Sequence, residues 1–266
     1  MNKDAGGNWR MVYPDIVEQY SEEFWNAVET MDYQPKQAEK TLKRIISLTG
    51  SAHMDAILHL GFLLNDTKRK IEGNALICKA NGIALEAIPE SFNSRRDKIH
   101  WGFYENRPLL RTFHAVGVEY MQEGRYEKAI ATFDFMLRVN PSDNPGVRYL
   151  LPQCYLNLSK YLEFLALDKK LRETASPEFV FACVLAHYRL GEMDRAKYRW
   201  QKAKEKFPYV AQEVASTTHV LPKDEFERSF RGLATVGSRL QAYYYWEDTR
   251  ELWENDKALK RFLQEN

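Results

Sequence analysis

Apolar residues recur at helical spacing through most of this chain. Ile16, Tyr20, Phe24 and Val28 follow Pro14 at every fourth position, which predicts one amphipathic helix. Ala38, Leu42, Ile45 and Ile46 predict a second helix, opened near Pro35 and ended by Gly50. Met54, Ile57, Leu58, Gly61 and Leu64 predict a third, and Asn65-Asp66 then turns the chain into a long fourth helix ending before Pro89. Residues 90–109 hold Trp101-Gly102-Phe103-Tyr104 and read as a packed loop. Every predicted element is helical, and no sheet is expected.

From Leu110 to about Asp143 the pattern tightens. Phe113 supplies a large aromatic, Gly117 a point of close helix approach, and Tyr120 follows three residues on. Gly124 marks a turn, Tyr126 opens the next helix, Ala129 and Phe133 follow, and Pro141 ends the unit. Small residues let two helices approach, large ones fill the gaps, and proline stops the second helix. A second unit runs from Pro177 to about Val210, with Gly191 at its turn, then Ala196, Trp200, Ala203 and Pro208. Ala129 and Ala196 stand 67 residues apart, so another unit must lie between. The stretch from Val147 to Thr174 fills that place, with Tyr155, Tyr161, Leu165 and Leu171 at helical spacing. Beyond Pro208, Leu221-Pro222-Lys223-Asp224 reads as a loop. A helix from about Ser238 to Trp253 then carries Leu240, Tyr243, Tyr244, Trp246, Leu252 and Trp253, and a last helix lies near Lys257 to Leu263. A stack of helix pairs must hide its final apolar face, and this aromatic segment suits that task. The reading therefore divides the chain into divergent helical repeats at 14–89, a loop at 90–109, regular repeats at 110–210 and a helical cap at 211–266.

The regular units resemble the tetratricopeptide repeat superfamily, whose pitch is about 34 residues. The resemblance covers 110–210 closely and 15–90 loosely. It implies an all-α solenoid of antiparallel helix pairs in a right-handed superhelix, with the first helix of each pair lining a concave groove. A narrower resemblance rests on Glu105-Asn106-Arg107-Pro108-Leu109-Leu110-Arg111 and on Asn140-Pro141-Ser142-Asp143-Asn144-Pro145-Gly146-Val147-Arg148-Tyr149-Leu150-Leu151. These segments look like a group of uncharacterised bacterial tetratricopeptide proteins with ENRPxLR followed by NPxDNxGxRYLL. The tail, Lys206 to Val210 and Ala242 to Trp246, is similar to the end of that group and, more faintly, to the suppressor-of-tumorigenicity seven family. Pro145 departs from the pattern, and Tyr243 to Tyr245 is more aromatic than usual. The resemblance implies a scaffold and nothing catalytic.

Composition narrows the function classes. The 38 Lys+Arg against 37 Asp+Glu leave a net charge of +1, which gives no general pull toward nucleic acid or an anionic membrane. No apolar run is long enough to span a bilayer, and no leader segment is read at the start. Cys78, Cys154 and Cys183 lie far apart without metal-ligand spacing, so reduced, mostly buried thiols in a cytoplasmic protein are expected. His53 and His59 are not an i,i+4 pair, and His100, His114, His187 and His219 are scattered, so no metal or other cofactor is expected. His187 reads as a core histidine with a partner. Ala5-Gly6-Gly7-Asn8 lacks the strand and Lys-Ser/Thr of a phosphate loop and reads as a flexible start. The basic run Lys197, Arg199, Lys202, Lys204 and Lys206 reads as a solvated helix face, and Tyr243-Tyr244-Tyr245-Trp246 as packing rather than a base-stacking platform.

One constellation points to binding: Arg107, Arg111, His114 and Arg148, with Asn106 and Tyr149. Pro108 suits a helix start, and Arg111 and His114 then share a face. Arg148 is expected near the fifth position of the next groove-lining helix. Cations facing a groove favour an acidic peptide or a terminal carboxylate. The competing reading pairs Arg107 and Arg111 with Glu105 or Glu119 and uses Asp143 and Asn144 as helix caps. The two-carboxylate clamp that reads chaperone tails is not implied, because His114 and Val118 stand at its positions. The function expected is a non-enzymatic adaptor for a protein or peptide partner. The alternative is a nucleic-acid-binding or enzyme-accessory regulator.

Overall fold

Proline starts many of the helices. Pro35, Pro108, Pro152, Pro177 and Pro208 all stand in the first two positions of a helix, where the missing N–H has no intrahelical partner to lose. Pro208 therefore opens a helix as well as closing the one before it. The structure, a computed structural model, describes residues 1–172 and 175–266. Thr174, the expected end of the middle repeat, lies outside the described residues. The chain forms two compact units, Met1–Arg148 and Tyr149–Asn266.

The first unit begins with a short hairpin, β1 (Asn2–Lys3) and β2 (Trp9–Arg10), paired antiparallel with Asn2 opposite Arg10. This corrects the expectations of no sheet and of a flexible start. The Asp4 carboxylate accepts from the Asn8 backbone N–H at 2.9 Å, and Gly7 supplies a φ of +83° for the turn. Helices α1 (Asp15–Gln19) and α2 (Ser21–Thr30) follow. They replace the single predicted helix, because Tyr20 leaves helical geometry at φ −108°, ψ 11°. Next come α3 (Pro35–Thr49), α4 (Met54–Asp66) and α5 (Lys70–Ala87), then the loop and a 3₁₀ turn at Tyr104–Asn106. The regular pair α6 (Arg107–Gln122) and α7 (Tyr126–Val139) closes the unit. Gly117 sets their approach, since a β-carbon there would lie within 2.9 Å of three ring carbons of the fully buried Phe133. Phe24, Leu42, Ile45, Leu60 and Leu63 form one core cluster beneath α2, α3 and α4.

The second unit holds α8 (Leu151–Asn157), α9 (Tyr161–Leu171), α10 (Pro177–Arg189), α11 (Met193–Lys206), α12 (Pro208–Ala215) and α13 (Lys223–Arg228). Helices α14 (Arg239–Thr249) and α15 (Lys257–Glu265) end the chain. Phe164, Phe179, Phe181, Trp200 and Trp253 fill a single core to which both terminal helices contribute. The Trp200 indole N–H reaches the Leu263 carbonyl at 3.1 Å, and Trp253 donates to the Thr249 hydroxyl at 3.1 Å, so both large rings are buried without an orphaned donor.

Candidate functional site

Arg107 and Arg111 are four residues apart at the start of α6, and the fold turns both toward one cavity of about 470 Å³ in the first unit. Tyr13, Phe24, Trp25, His53, Asp55 and Tyr104 line it with them. Neither arginine pairs with Glu105 or Glu119, the acids nearest in sequence. Arg111 Nε donates to Asp55 Oδ1 at 3.1 Å while Nη2 donates to Oδ2, and its guanidinium lies 5.7 Å from the Trp25 ring. Arg107 Nε donates to the Trp101 carbonyl at 3.1 Å, and its guanidinium stacks 4.1 Å from the Tyr104 ring. Glu105 instead meets Arg10 at 3.4 Å, and Glu119 accepts from Asn65 Nδ2 at 3.4 Å. The rim is aromatic and open to solvent, with Trp25 44% and Tyr104 75% exposed.

Asp55 is the hub. It enters the apolar helix α4 in its first turn, where a carboxylate suits the helix dipole, and it is buried. Burial opposes its ionisation, but the hydrogen bonds and charges of His59 and Arg111 outweigh burial and hold the carboxyl below its ordinary range. Tyr13 is pushed the other way, upward, by burial and by the nearby Asp55 charge, and its hydroxyl donates to the Glu105 carbonyl at 3.1 Å.

His53 caps α4: its Nδ1 accepts the Ala56 backbone N–H at 3.2 Å. Burial lowers its pKa, against the opposing pull of Asp55, so the ring is neutral at pH 7. A neutral imidazole that accepts at Nδ1 carries its proton at Nε2. That Nε2–H is buried and has no protein acceptor, a situation that costs about 1–3 kcal/mol for a buried donor. The sequence holds one signal of this arrangement: a single carboxylate, Asp55, two residues after a histidine at the mouth of an apolar run.

The other members of the expected constellation lie elsewhere. Asn106 is fully buried and does not line the cavity; its Oδ1 accepts from Met11 N–H at 2.9 Å and its Nδ2 donates to the Trp9 and His100 carbonyls at 3.0 and 3.1 Å. It ties the N-terminal segment to the start of α6 and so positions the Tyr13 wall. Arg148 sits in a 3₁₀ turn, Val147–Tyr149, and not inside a helix as expected. Its Nε donates to Asp143 Oδ2 at 2.8 Å, while Asp143 also accepts the backbone N–H of Val147 and Arg148 at 2.9 and 3.0 Å. The Asp143 carboxylate thus organises the turn and neutralises the arginine. His114 is half-buried; burial lowers its pKa and Asp143 opposes that shift. Tyr149 belongs to the second unit and lines a separate cavity of about 190 Å³ with Glu178, Tyr244 and Asp248.

The remaining candidates resolve into packing. His187 pairs with Glu192 at 2.6 Å. Burial pushes the Cys154 and Cys183 thiols up to about 12, so neither is a nucleophile at neutral pH, while Cys78 is exposed. Lys197, Arg199, Lys202 and Lys206 are exposed, and Lys204 reaches the Asn266 carbonyl at 2.6 Å. Tyr245 and Trp246 are buried, and Trp246 stacks on His219 at 3.7 Å, so the aromatic run does not present one open face. Among the described residues no helix is long and apolar enough to cross a membrane, and no three metal-ligating side chains converge.

Comparison with known proteins adds a family and a fold. The model of the family described as transcriptional repressor TCF25 matches residues 9–266. This overturns the narrower resemblance to bacterial tetratricopeptide proteins and to the suppressor-of-tumorigenicity seven family. No curated protein matches the chain in sequence. Among solved structures, the chain is similar to a putative kinesin light chain from Podosopora anserina with nearly identical TPR-like repeats. That match has a TM-score of 0.50 and 11% identity, and covers 73% of this chain and 96% of the other. It establishes the fold alone: an all-α, TPR-like helical-repeat architecture.

Proposed function

The chain belongs to the TCF25 family, and we propose that it works there as a non-enzymatic protein-binding module whose first unit takes up a segment of a partner protein. TPR-like helical repeats serve as interaction scaffolds, and the observation that carries the reading is the cavity at the start of α6. It combines an exposed aromatic rim, Trp25 and Tyr104, with two arginines stacked on those rings. Exposed aromatics beside arginine are the residue types that dominate binding energy at protein interfaces. The cavity volume of about 470 Å³ lies in the range of sites that hold a ligand or a side-chain anchor.

Arg107 and Arg111 remain in the proposal as walls of the site, with Asn106 as its support. Arg148, His114 and Tyr149 do not share this cavity. The lining sets the carboxylates of Glu18, Asp55 and Glu105 against the guanidiniums of Arg107 and Arg111, so it gives no preference for an acidic segment. Free thiols suit the nucleus as well as the cytoplasm, and a repressor family makes the nucleus the compartment to test first.

Affinity capture from cell extract, with the wild-type chain and a Trp25→Ala/Tyr104→Ala variant compared by quantitative mass spectrometry, tests the site. A partner held by the wild type and lost by the variant is the expected result; retention of every captured protein would end the reading. The family's description as a transcriptional repressor fits a nucleic-acid-binding regulator as well as a protein-binding one. Against the nucleic-acid reading stand the net charge of +1 and the buried Tyr245 and Trp246. Binding to a random duplex that falls steeply with added salt would move the conclusion to that alternative.

A further inference from the structure

The cavity of about 190 Å³ in the second unit is a separate place from the partner site proposed above, and its chemistry is different. We propose that it receives an arginine side chain of a partner protein, with Glu178 and Asp248 meeting the charge and tyrosine rings giving the guanidinium a surface to stack on.

The walls come first. Leucine and proline side chains make much of the lining apolar, and Tyr149, Tyr244 and Tyr245 add three rings. Two of these are fixed by the fold: the Tyr244 hydroxyl donates to the Gly232 carbonyl at 2.9 Å, and the Tyr245 ring packs 5.5 Å from that of Phe181. Tyr149 is 37% exposed, so the cavity opens to solvent on that side. The two amides of the lining are engaged within the protein. Gln153 Nε2 donates to the Asp248 backbone carbonyl at 2.7 Å, and Gln241 Oε1 accepts the Gly237 N–H at 2.7 Å. The charged groups of the wall are the carboxylates of Glu178 and Asp248, and no lysine, arginine or histidine lines it with them.

Charge then selects the occupant. Glu178 lies in the first turn of α10, where the helix dipole accounts for a carboxylate. Asp248 has no such reason to be where it is. It is the last residue but one of α14, the end at which the dipole disfavours a negative charge. Partial burial and the charges of Glu247 and Glu178, both acidic, push its carboxyl above its ordinary range. The fold loses stability by keeping Asp248, and what it gains is a wall that a cation complements. An ammonium is a compact, strongly hydrated charge that gives up much on entering an apolar cavity. A guanidinium is planar and more weakly hydrated, stacks on aromatic faces and offers carboxylates a fork of N–H donors, while its aliphatic stem covers apolar wall.

The probe is a seven-residue glycine-serine peptide with one central arginine, blocked at both ends, added at millimolar concentration to the full chain and followed by saturation-transfer NMR. Two counterparts carry lysine, or citrulline, which keeps the planar shape and removes the charge. The expected result is transfer to the arginine side-chain protons, with citrulline bound at least about tenfold and lysine about threefold more weakly. The double variant Glu178→Gln/Asp248→Asn should lose the arginine peptide at least about tenfold and melt no lower than wild type, because it relieves two like charges. Trp25→Ala, in the first unit, should leave binding unchanged. No transfer to arginine, citrulline or lysine within about twofold of arginine, or undiminished binding by the double variant each overturns the inference. The peptide comparison is made on wild-type protein and decides the matter even if the variant fails to fold.

Discussion

Arg111→Ala separates a groove-facing arginine from a structural one. An arginine solvated in an empty groove could be removed at almost no cost in folding. In the structure, however, Arg111 is three-quarters covered and pairs through two hydrogen bonds with Asp55, which is 4% exposed. Removing one member of a buried pair strands the other's charge, at about 3–5 kcal/mol. His59 Nδ1 stays 3.4 Å from Asp55 Oδ1 and offsets part of that loss, which places the expected cost near the lower end, about 3 kcal/mol. For a unit of this size each kcal/mol moves the midpoint by about 2–4 °C, so Tm should fall by about 6–12 °C. The pH dependence carries the signature. In the wild type the Asp55 carboxyl is held below its ordinary range, so its contribution is present above about pH 4, the unfolded value, and is lost as pH falls further. In the variant the folded pKa should rise relative to the wild type, because burial is then opposed by His59 alone, and the ionised carboxylate contributes less to stability. The gap between wild type and variant should be widest near pH 7 and shrink toward about pH 4. Thermal unfolding by circular dichroism at several pH values measures it, and adding Asp55→Ala to the variant should recover part of the loss. An unchanged Tm at neutral pH, or a gap that ignores pH, refutes the assignment of Arg111 as the partner of a buried carboxylate.

Gly117→Leu should destabilise the α6–α7 pair by about 1–3 kcal/mol, because any side chain there meets the Phe133 ring, and Phe133→Leu in the same chain should recover part of it; urea unfolding indistinguishable from wild type would mean the two helices do not meet at this glycine. Asn106→Ala removes three buried hydrogen bonds at about 1 kcal/mol each and should cost about 3 kcal/mol, with the hairpin around Trp9 the first region to lose hydrogen-exchange protection. Ending the chain before Ser238 takes away α14 and α15, which cover Phe181 and Trp200, and should cause aggregation or lost helicity; a soluble, monomeric truncation with the same melting curve would make the tail a separate binding element.

The helical character of this chain is written in its sequence, because a helix and its ends are local matters. Pro35, Pro177 and Pro208 open helices by fixing φ and lacking an N–H, and Gly124 and Gly191 turn the chain at φ +69° and +75°, conformations that other residues disfavour. The period of Gly117, Ala129 and Phe133 likewise implies their packing, since small beside large is what a close helix pair requires. What periodicity could not supply was partner choice across distance. Arg107 and Arg111 were visible as cations on one helix face, but the nearest acids in sequence, Glu105 and Glu119, are not the ones they meet. Asp55, 56 residues from Arg111, takes its guanidinium only because α4 and α6 pack together. The break at Tyr20 and the pairing of Trp9 with Lys3 were hidden for the same reason: each depends on what lies beside the segment rather than within it. The cavity follows from that placement. In sequence His53 is only a histidine without an i,i+4 partner, and its Nε2 becomes a buried, unmatched nitrogen only when the fold closes over it and the start of α4 occupies the other ring nitrogen.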